Sequence, residues 1–533
     1  MFDDIRKQLK TCRKKHQGCG VGTEKPLTAP KRLLKLDASN ERCYLIETTR
    51  NCRLQYAALS YCWGTTQTML TRNTLSKLES GVHPSHFSRT IQDAIKVVVN
   101  LGLQYLWVDA LCIIQDDDKD KADEIRHMGD IYYGASFTIA ASNAASNQDG
   151  FLMGRLSNVF PVTLVHGKLG RTTPLMMIQD PAQTELVHPL HTRAWTLQEG
   201  IFPTPGNTTG ANPSPAIAYF SRRYIHFGIS SVTVLCHETS LDLSGFSSKR
   251  DLDTIFRWGR GTHFNDYPGF NPNTFWKSVV EKYSSRGLTI PSDKLIALSA
   301  LVKDVAIHVA SEDPRPQNYL AGLWRKTLVY ELTWTMADSP RQRPASYRAP
   351  SWSWASVDGR VHAADVESVM LAEHNVMEGV KKVDIIRAET TWDVSVGPFS
   401  AVTGGFIVVE GLISEISDYE YDATCGKESI KFYGEFWTLD ALEPEIARPR
   451  HERLSVWVLQ CQEQIGEHSG EGYGEVEFHG DFFGLILLEV PDEQSFRRIG
   501  CVSFLDWSGE NEKFWELRKK IWGESTRKKV RII

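Results

Sequence analysis

The chain has 533 residues, with 60 Lys and Arg against 65 Asp and Glu for a net charge of −5, so no global field exists to hold nucleic acid or an anionic membrane. Apolar residues make up 41% and charged residues 23%, globular proportions that exclude a disordered or low-complexity protein. At about 150 residues per domain the length suggests two or three domains.

The opening MFDDIRKQLK places charges where a signal peptide would place its apolar core. No stretch of about 18 apolar residues runs free of charge, so a cytoplasmic protein without a membrane span is expected. Ten cysteines are too sparse for a disulfide scaffold, and Cys112 and Cys501 sit in apolar runs where a reduced thiol packs as a small hydrophobe. Residues 1–44 read as a lead-in with a short amphipathic helix carrying Ile5, Leu9 and Cys12 on one side. Cys12, His16 and Cys19 offer three groups where structural zinc takes four, and no metal is expected there.

Residues 45–235 read as an α/β domain. YAALSYCWG (56–64) is a buried-strand candidate, nearly continuous in apolar and small residues. A helix follows from Thr90, with Ile91, Ala94, Ile95 and Val98 at helical spacing and Gly102 as its stop. LQYLWVDALCII (103–114) is the second strand candidate, and an acidic run leads to a helix with Ile125, Met128, Tyr132 and Ala135 on one face. FTIAAS (137–142) is the third strand. Alternation of this kind predicts a parallel sheet, whose ligands bind outside the carboxyl ends of the strands. RAWTLQEGIF then reads as a short helix, and TPGNTTGANPSPA (204–216) as a loop. Residues 236–365 form a helical extension with helices over 275–286 and 295–309, where SWSWAS (351–356) places Trp352 and Trp354 on one strand face as packing. Residues 366–533 are β-rich, and no internal repeat is found.

Ser60, Tyr61 and Trp63 end the first strand, where a ligand of such a sheet would sit, and Gly64 lets the backbone turn there. Trp63 either stacks on a base or fills core. Asp109 lies inside an apolar run and must find donors; a ligand role and a bond to loop amides both satisfy it. Asp116, Asp117, Asp118 and Asp120 read as a solvated face before a helix rather than a magnesium site, and Glu124 as half of a surface salt bridge. The absence of GxxxxGK[ST], GxGxxG, HExxH and GxSxG weakens triphosphatase, dehydrogenase, zinc-protease and lipase readings.

Taken together, ALSYCWG, LGLQYLWVDALCIIQDD, EIRHMGDIYYGASFTIAAS, RAWTLQE and APSWSWASVDG resemble the fungal heterokaryon incompatibility (HET) domain family. The resemblance implies a cytosolic effector of programmed cell death after fusion of genetically different cells, a form of fungal non-self recognition and innate immunity. The sequence departs from the family pattern just after Glu199, where Gly200, Pro203 and Pro205 replace an arginine and a serine-containing turn. More distantly, LSY (59–61) and the Trp195 and Glu199 spacing resemble the Toll/interleukin-1 receptor (TIR) fold, a flavodoxin-like parallel sheet. That likeness implies hydrolysis of NAD at its nicotinamide–ribose bond, with Glu199 as the central carboxylate and Ser60, Tyr61, Trp63, Asp109 and Trp195 lining the nucleotide. NAD is then substrate, and no cofactor is expected. Trp195 and Glu199, four apart, share a helix face, and a carboxylate beside the ribose stabilises oxocarbenium character. Self-association and other incompatibility proteins are the expected partners. The alternative is a non-enzymatic, self-associating signalling module, in which Glu199 pairs with a basic group such as Arg193 and, with Asp109, holds the fold.

Overall fold

The computed structural model describes residues 1–15, 29–152 except 40, 51, 53 and 67, the strands 159–166, 171–178, 224–227 and 232–235, and residues 189–201, 272–309 and 316–364. It also describes 382–533 apart from 394–396, 398, 400, 423–428, 433–434, 449–453, 470–475 and 506–510. His16, Cys19 and the loop 204–216 lie outside the described residues. The chain divides into two compact units, Met1–Phe270 and Asn271–Ile533.

The first unit opens with helix α1 (Phe2–Lys15), whose Ile5 and Leu9 are buried as their spacing predicts. Two strands follow, β1 (Arg32–Asp37) inside the expected lead-in and β2 (Arg42–Glu47) across its end at residue 44, an antiparallel pair. Next come β3 (Tyr56–Ser60), helices α2 (Leu75–Glu79) and α3 (Arg89–Asn100), and β4 (Tyr105–Trp107). Helices α4 (Asp109–Cys112), α5 (Asp118–Arg126) and α6 (Met128–Gly134) lead to β5 (Phe137–Ala140). β6 (Val159–His166) and β7 (Arg171–Ile178) form a separate hairpin, before α7 (Trp195–Ile201), β8 (Tyr224–Phe227) and β9 (Val232–Leu235).

Seven strands make one sheet in the order β2-β1-β4-β3-β5-β8-β9. The four central strands run parallel, as the α/β alternation predicts, while antiparallel β1 and β2 on one side and β9 on the other make the sheet mixed. In chain order the parallel strands lie second, first, third, fourth, so the direction of winding reverses at β3 and the carboxyl ends of β3 and β5 sit side by side. Every residue of β3 and β5 is buried, which is why both read as continuous apolar runs.

The second expected strand is corrected: only Tyr105–Trp107 pairs, and Asp109–Cys112 is a helical turn. The Asp109 carboxylate accepts the Ala110 amide at 2.7 Å, Arg32 Nε donates to the Cys112 carbonyl at 2.9 Å and Leu70 N to the Ala110 carbonyl at 2.7 Å. Those bonds draw the chain away from the ladder. A buried strand and a buried turn carry the same apolar signal. The expected single helix over Ile125 to Ala135 is likewise two, meeting at His127.

The second unit holds helices α8 (Pro272–Ser284) and α9 (Ser299–Val309), the short pairs β10 (Tyr319–Leu320) with β11 (Leu323–Trp324) and β12 (Thr335–Met336) with β13 (Val361–His362), and α10 (Leu328–Glu331). It continues with β14 (Val383–Trp392), β15 (Val402–Ile416), β16 (Glu420–Asp422), β17 (Ser429–Phe432), β18 (Glu435–Leu439), β19 (Val456–Ser469), β20 (Val476–Val490) and β21 (Ser495–Leu505). Helix α11 (Asn511–Trp522) and β22 (Arg527–Ile532) end the chain. Strands β14 to β22 share one sheet, and β22 bonds both β15 and β21, so that β15, β19, β20, β21 and β22 close on themselves. SWSWAS is no strand, which corrects that expectation: Trp354–Ser356 is a turn of 3₁₀ helix, and Trp352 and Trp354 are both fully buried as packing. The buried Arg498 of β21 ties this segment down, donating to Asp440 at 2.8 Å and to the Leu332 and Trp334 carbonyls.

Candidate functional site

Three segments far apart in sequence converge at the carboxyl edge of the parallel strands. Ser60 is the last residue of β3, Asp109 follows β4 by two positions, and α7 carries Glu199. At the start of α7 the Thr196 hydroxyl lies 2.6 Å from the Leu190 carbonyl and 2.8 Å from the Arg193 carbonyl, and its one proton, shared between them, ties the helix to the turn before it. The Ser60 hydroxyl donates to Glu199 Oε2, closing the first strand onto the helix. Tyr132 of α6 reaches the Leu59 carbonyl at 3.2 Å and also faces Glu199.

The other carboxylate is held differently. Asp109 Oδ2 accepts the Trp63 indole N–H at 2.8 Å, and Oδ1 accepts the Ala110 amide at 2.7 Å. Arg193 donates to the Tyr61 carbonyl at 2.7 Å, which brings its guanidinium within electrostatic reach of both acids. Gly64, at φ +81°, turns the chain directly after Trp63, and the Asn147 amide bonds the Trp63 carbonyl at 3.2 Å.

Burial dominates the electrostatics. Glu199 is 5% exposed, and desolvation pushes its carboxyl up to about 7, with Asp109 adding to the rise and Ser60, Arg193 and Tyr132 opposing it. Burial lifts Asp109 to about 6 against the Ala110, Trp63, Arg193 and Tyr61 contacts that favour its charge. Two acids titrating near neutrality at one strand edge are an arrangement suited to stabilising a developing cation and to moving a proton.

All six residues singled out in the sequence fall within this region. Ser60, Tyr61, Trp63, Asp109 and Glu199 are linked through the bonds and charges above, while Trp195 is half-buried at the first position of α7. The sequence spacing gives Tyr132 only as part of an apolar stripe; the signal for its role is a phenol in a core position, since a buried hydroxyl needs a partner. Arg193, expected as a partner of Glu199, instead bonds the Tyr61 carbonyl and acts on both acids through its charge.

The acidic run behaves otherwise than expected at two places. Asp117 caps α5 and pairs with Arg72 at 2.9 Å, and Asp118 is fully exposed. Asp120 is instead buried between Lys31, at 2.8 Å, and Arg32. Glu124 is wholly buried and pairs with Arg50 at 2.7 Å, so the surface bridge is corrected to an interior one. These carboxylates anchor β1 and the segment after β2 to α5. Among the described residues no group of three or more His, Cys, Asp or Glu is arranged to hold a metal ion, and no helix is long and apolar enough to cross a membrane.

Comparison with curated proteins and with solved structures returns no match. Residues 56–199, the span from the first residue of β3 to Glu199, match the family model of the heterokaryon incompatibility protein (HET).

Proposed function

We propose that this protein is an effector of heterokaryon incompatibility that hydrolyses the N-glycosidic bond of NAD or a related nucleotide, with Glu199 as the carboxylate beside the ribose. The HET match supports the incompatibility role. The observation that carries the chemistry is the convergence of Ser60, Glu199 and Asp109 at the point where the parallel strands reverse their winding, the place where sheets of this topology take nucleotide ligands. The second, first, third, fourth strand order also supports the likeness to TIR and flavodoxin-like sheets. Loss of the nicotinamide base leaves positive charge on the ribose, and an ionised Glu199 would lower that barrier without moving. Because Glu199 ionises near pH 7, cleavage should rise as pH rises through that value.

The test is purified protein incubated with NAD in dilute and crowded solution, with products separated by chromatography and thermal unfolding followed in parallel. Glu199→Gln keeps the shape and still accepts from Ser60, so turnover should fall by about 100-fold or more while the unfolding temperature does not fall. A Glu199→Gln protein that cleaves NAD at the original rate refutes the role.

A second reading, a self-associating module that triggers cell death without catalysis, is favoured by the 5% exposure of Glu199 and its closed bond to Ser60. Under that reading the wild type leaves NAD intact, and killing is lost only in variants that also lose stability or assembly.

A further inference from the structure

We propose that Asp109 is the group that takes the proton from the attacking water, with the Tyr61 hydroxyl positioning that water. This rests on the glycohydrolase reading above. Its first support is a difference between the two carboxylates. Glu199 is almost fully buried and its Oε2 is occupied by Ser60, whereas Asp109 is half-buried, so a solvent molecule reaches it more readily. Asp109 is also fixed in direction: one oxygen is held by the Trp63 indole at 2.8 Å and the other by the Ala110 amide at 2.7 Å. Each carboxylate oxygen has a second lone pair, so both bonds leave acceptor capacity.

The second support is independent of the carboxylates' burial. Tyr61 is 2% exposed, and its hydroxyl completes no hydrogen bond of good geometry, yet it lies close enough to Asp109 to favour that carboxylate's charge. A buried phenol without a well-formed hydrogen bond is costly, and a bridging water in the gap between it and Asp109 would serve both groups. A water in that gap accepts from or donates to the phenol and points a proton at Asp109. The charged and titratable groups around Asp109 are Arg193, Glu199, Tyr61, Tyr132 and Cys112, and none of the other four acids among them is as exposed as Asp109 is.

The step balances as follows. The C1′–N bond breaks, and nicotinamide, cationic in NAD, leaves as a neutral base with the electron pair. Water oxygen bonds to C1′ and its proton passes to the Asp109 carboxylate, which releases it to solvent. The products are nicotinamide, ADP-ribose and one proton. Glu199 in this scheme faces the ribose cation and takes no proton.

The assignment predicts a change in partition rather than in rate alone. A pyridine base such as 3-acetylpyridine captures the same ribosyl cation through its ring nitrogen, with no proton to remove. Full-length wild type, Asp109→Asn and Tyr61→Phe are incubated with NAD and 3-acetylpyridine, and hydrolysis and exchange products are quantified, with thermal unfolding measured on each. Asp109→Asn should lower hydrolysis by about 100-fold while exchange stays within about threefold, and Tyr61→Phe should move the ratio the same way by about tenfold. Hydrolysis and exchange falling together, or a ratio equal to wild type, overturns the assignment. If Asp109→Asn unfolds early, Tyr61→Phe decides by the same ratio. A wild type that cleaves NAD with an unmoved ratio in the variants overturns this inference alone; a wild type that cleaves no NAD, dilute or crowded, overturns it together with the reading it rests on.

Discussion

A buried acid writes itself into the pH dependence of folding. Glu199 ionises near 7 in the folded protein, above the usual range for a glutamate, so between about pH 4.5 and 7 the native state holds a proton that the unfolded chain has released. Stability therefore falls as pH rises through this window and levels off above it. Glu199→Gln removes the proton and the dependence, and the variant should gain on the order of 2 kcal/mol relative to wild type at pH 8 compared with pH 5, read from denaturant unfolding at the two values. A parallel pair of curves would mean that Glu199 is solvated. The same burial makes the residue's role difficult to read from spacing: Trp195 and Glu199 at four apart announce a shared helix face, yet say nothing of the Ser60 hydroxyl that meets the carboxylate.

At the scale of elements, the turn after β3 shapes the site as much as the strand does. Gly64 holds φ +81°, and a Cβ there would sit 3.1 Å from both Asn147 Oδ1 and Ser146 Cβ. The backbone is thus strained for any side chain and the space already taken. Gly64→Ala should cost about 1–3 kcal/mol, measured by chemical denaturation, and should loosen the Trp63 indole from Asp109. Unchanged stability would show that the turn relaxes freely. Periodicity located β3, α3 and β5 because each is decided by local apolar spacing. It overran β4, because the apolar run LWVDALCII continues through a turn that Arg32 and Leu70 hold in place from elsewhere in the chain. β1 and β2 are short, β1 has no alternation, and the lysine- and proline-rich sequence before and within β1 masks their strand signal.

For the whole molecule, the boundary at 270 and 271 groups the tryptophan-rich segment with the β-rich sheet, where composition alone separates them at 365. The reason is the buried Arg498, which needs Asp440 for its charge and the Leu332 and Trp334 carbonyls for its remaining donors, and which stacks 3.7 Å from the Trp334 ring. A fragment Asn271–Ile533 should unfold in one cooperative transition by circular dichroism. A fragment 366–533, which strips those partners from Arg498, should lose about 3–5 kcal/mol of stability or fail to fold; equal stability of the two would place the boundary back at 365. The strand-and-helix alternation through β3, α3, β4 and β5, the motif set over 56–199 and the residue types at the strand edge were determined by the sequence alone, because hydrophobic periodicity and turn chemistry act over a few neighbouring residues. Only the tertiary structure decided that Ser60 meets Glu199 across 139 positions, that Asp120 and Glu124 are interior and that Asp109 is the more exposed acid. The state of a polar group depends on which distant donors and how much water surround it, and no local pattern encodes that.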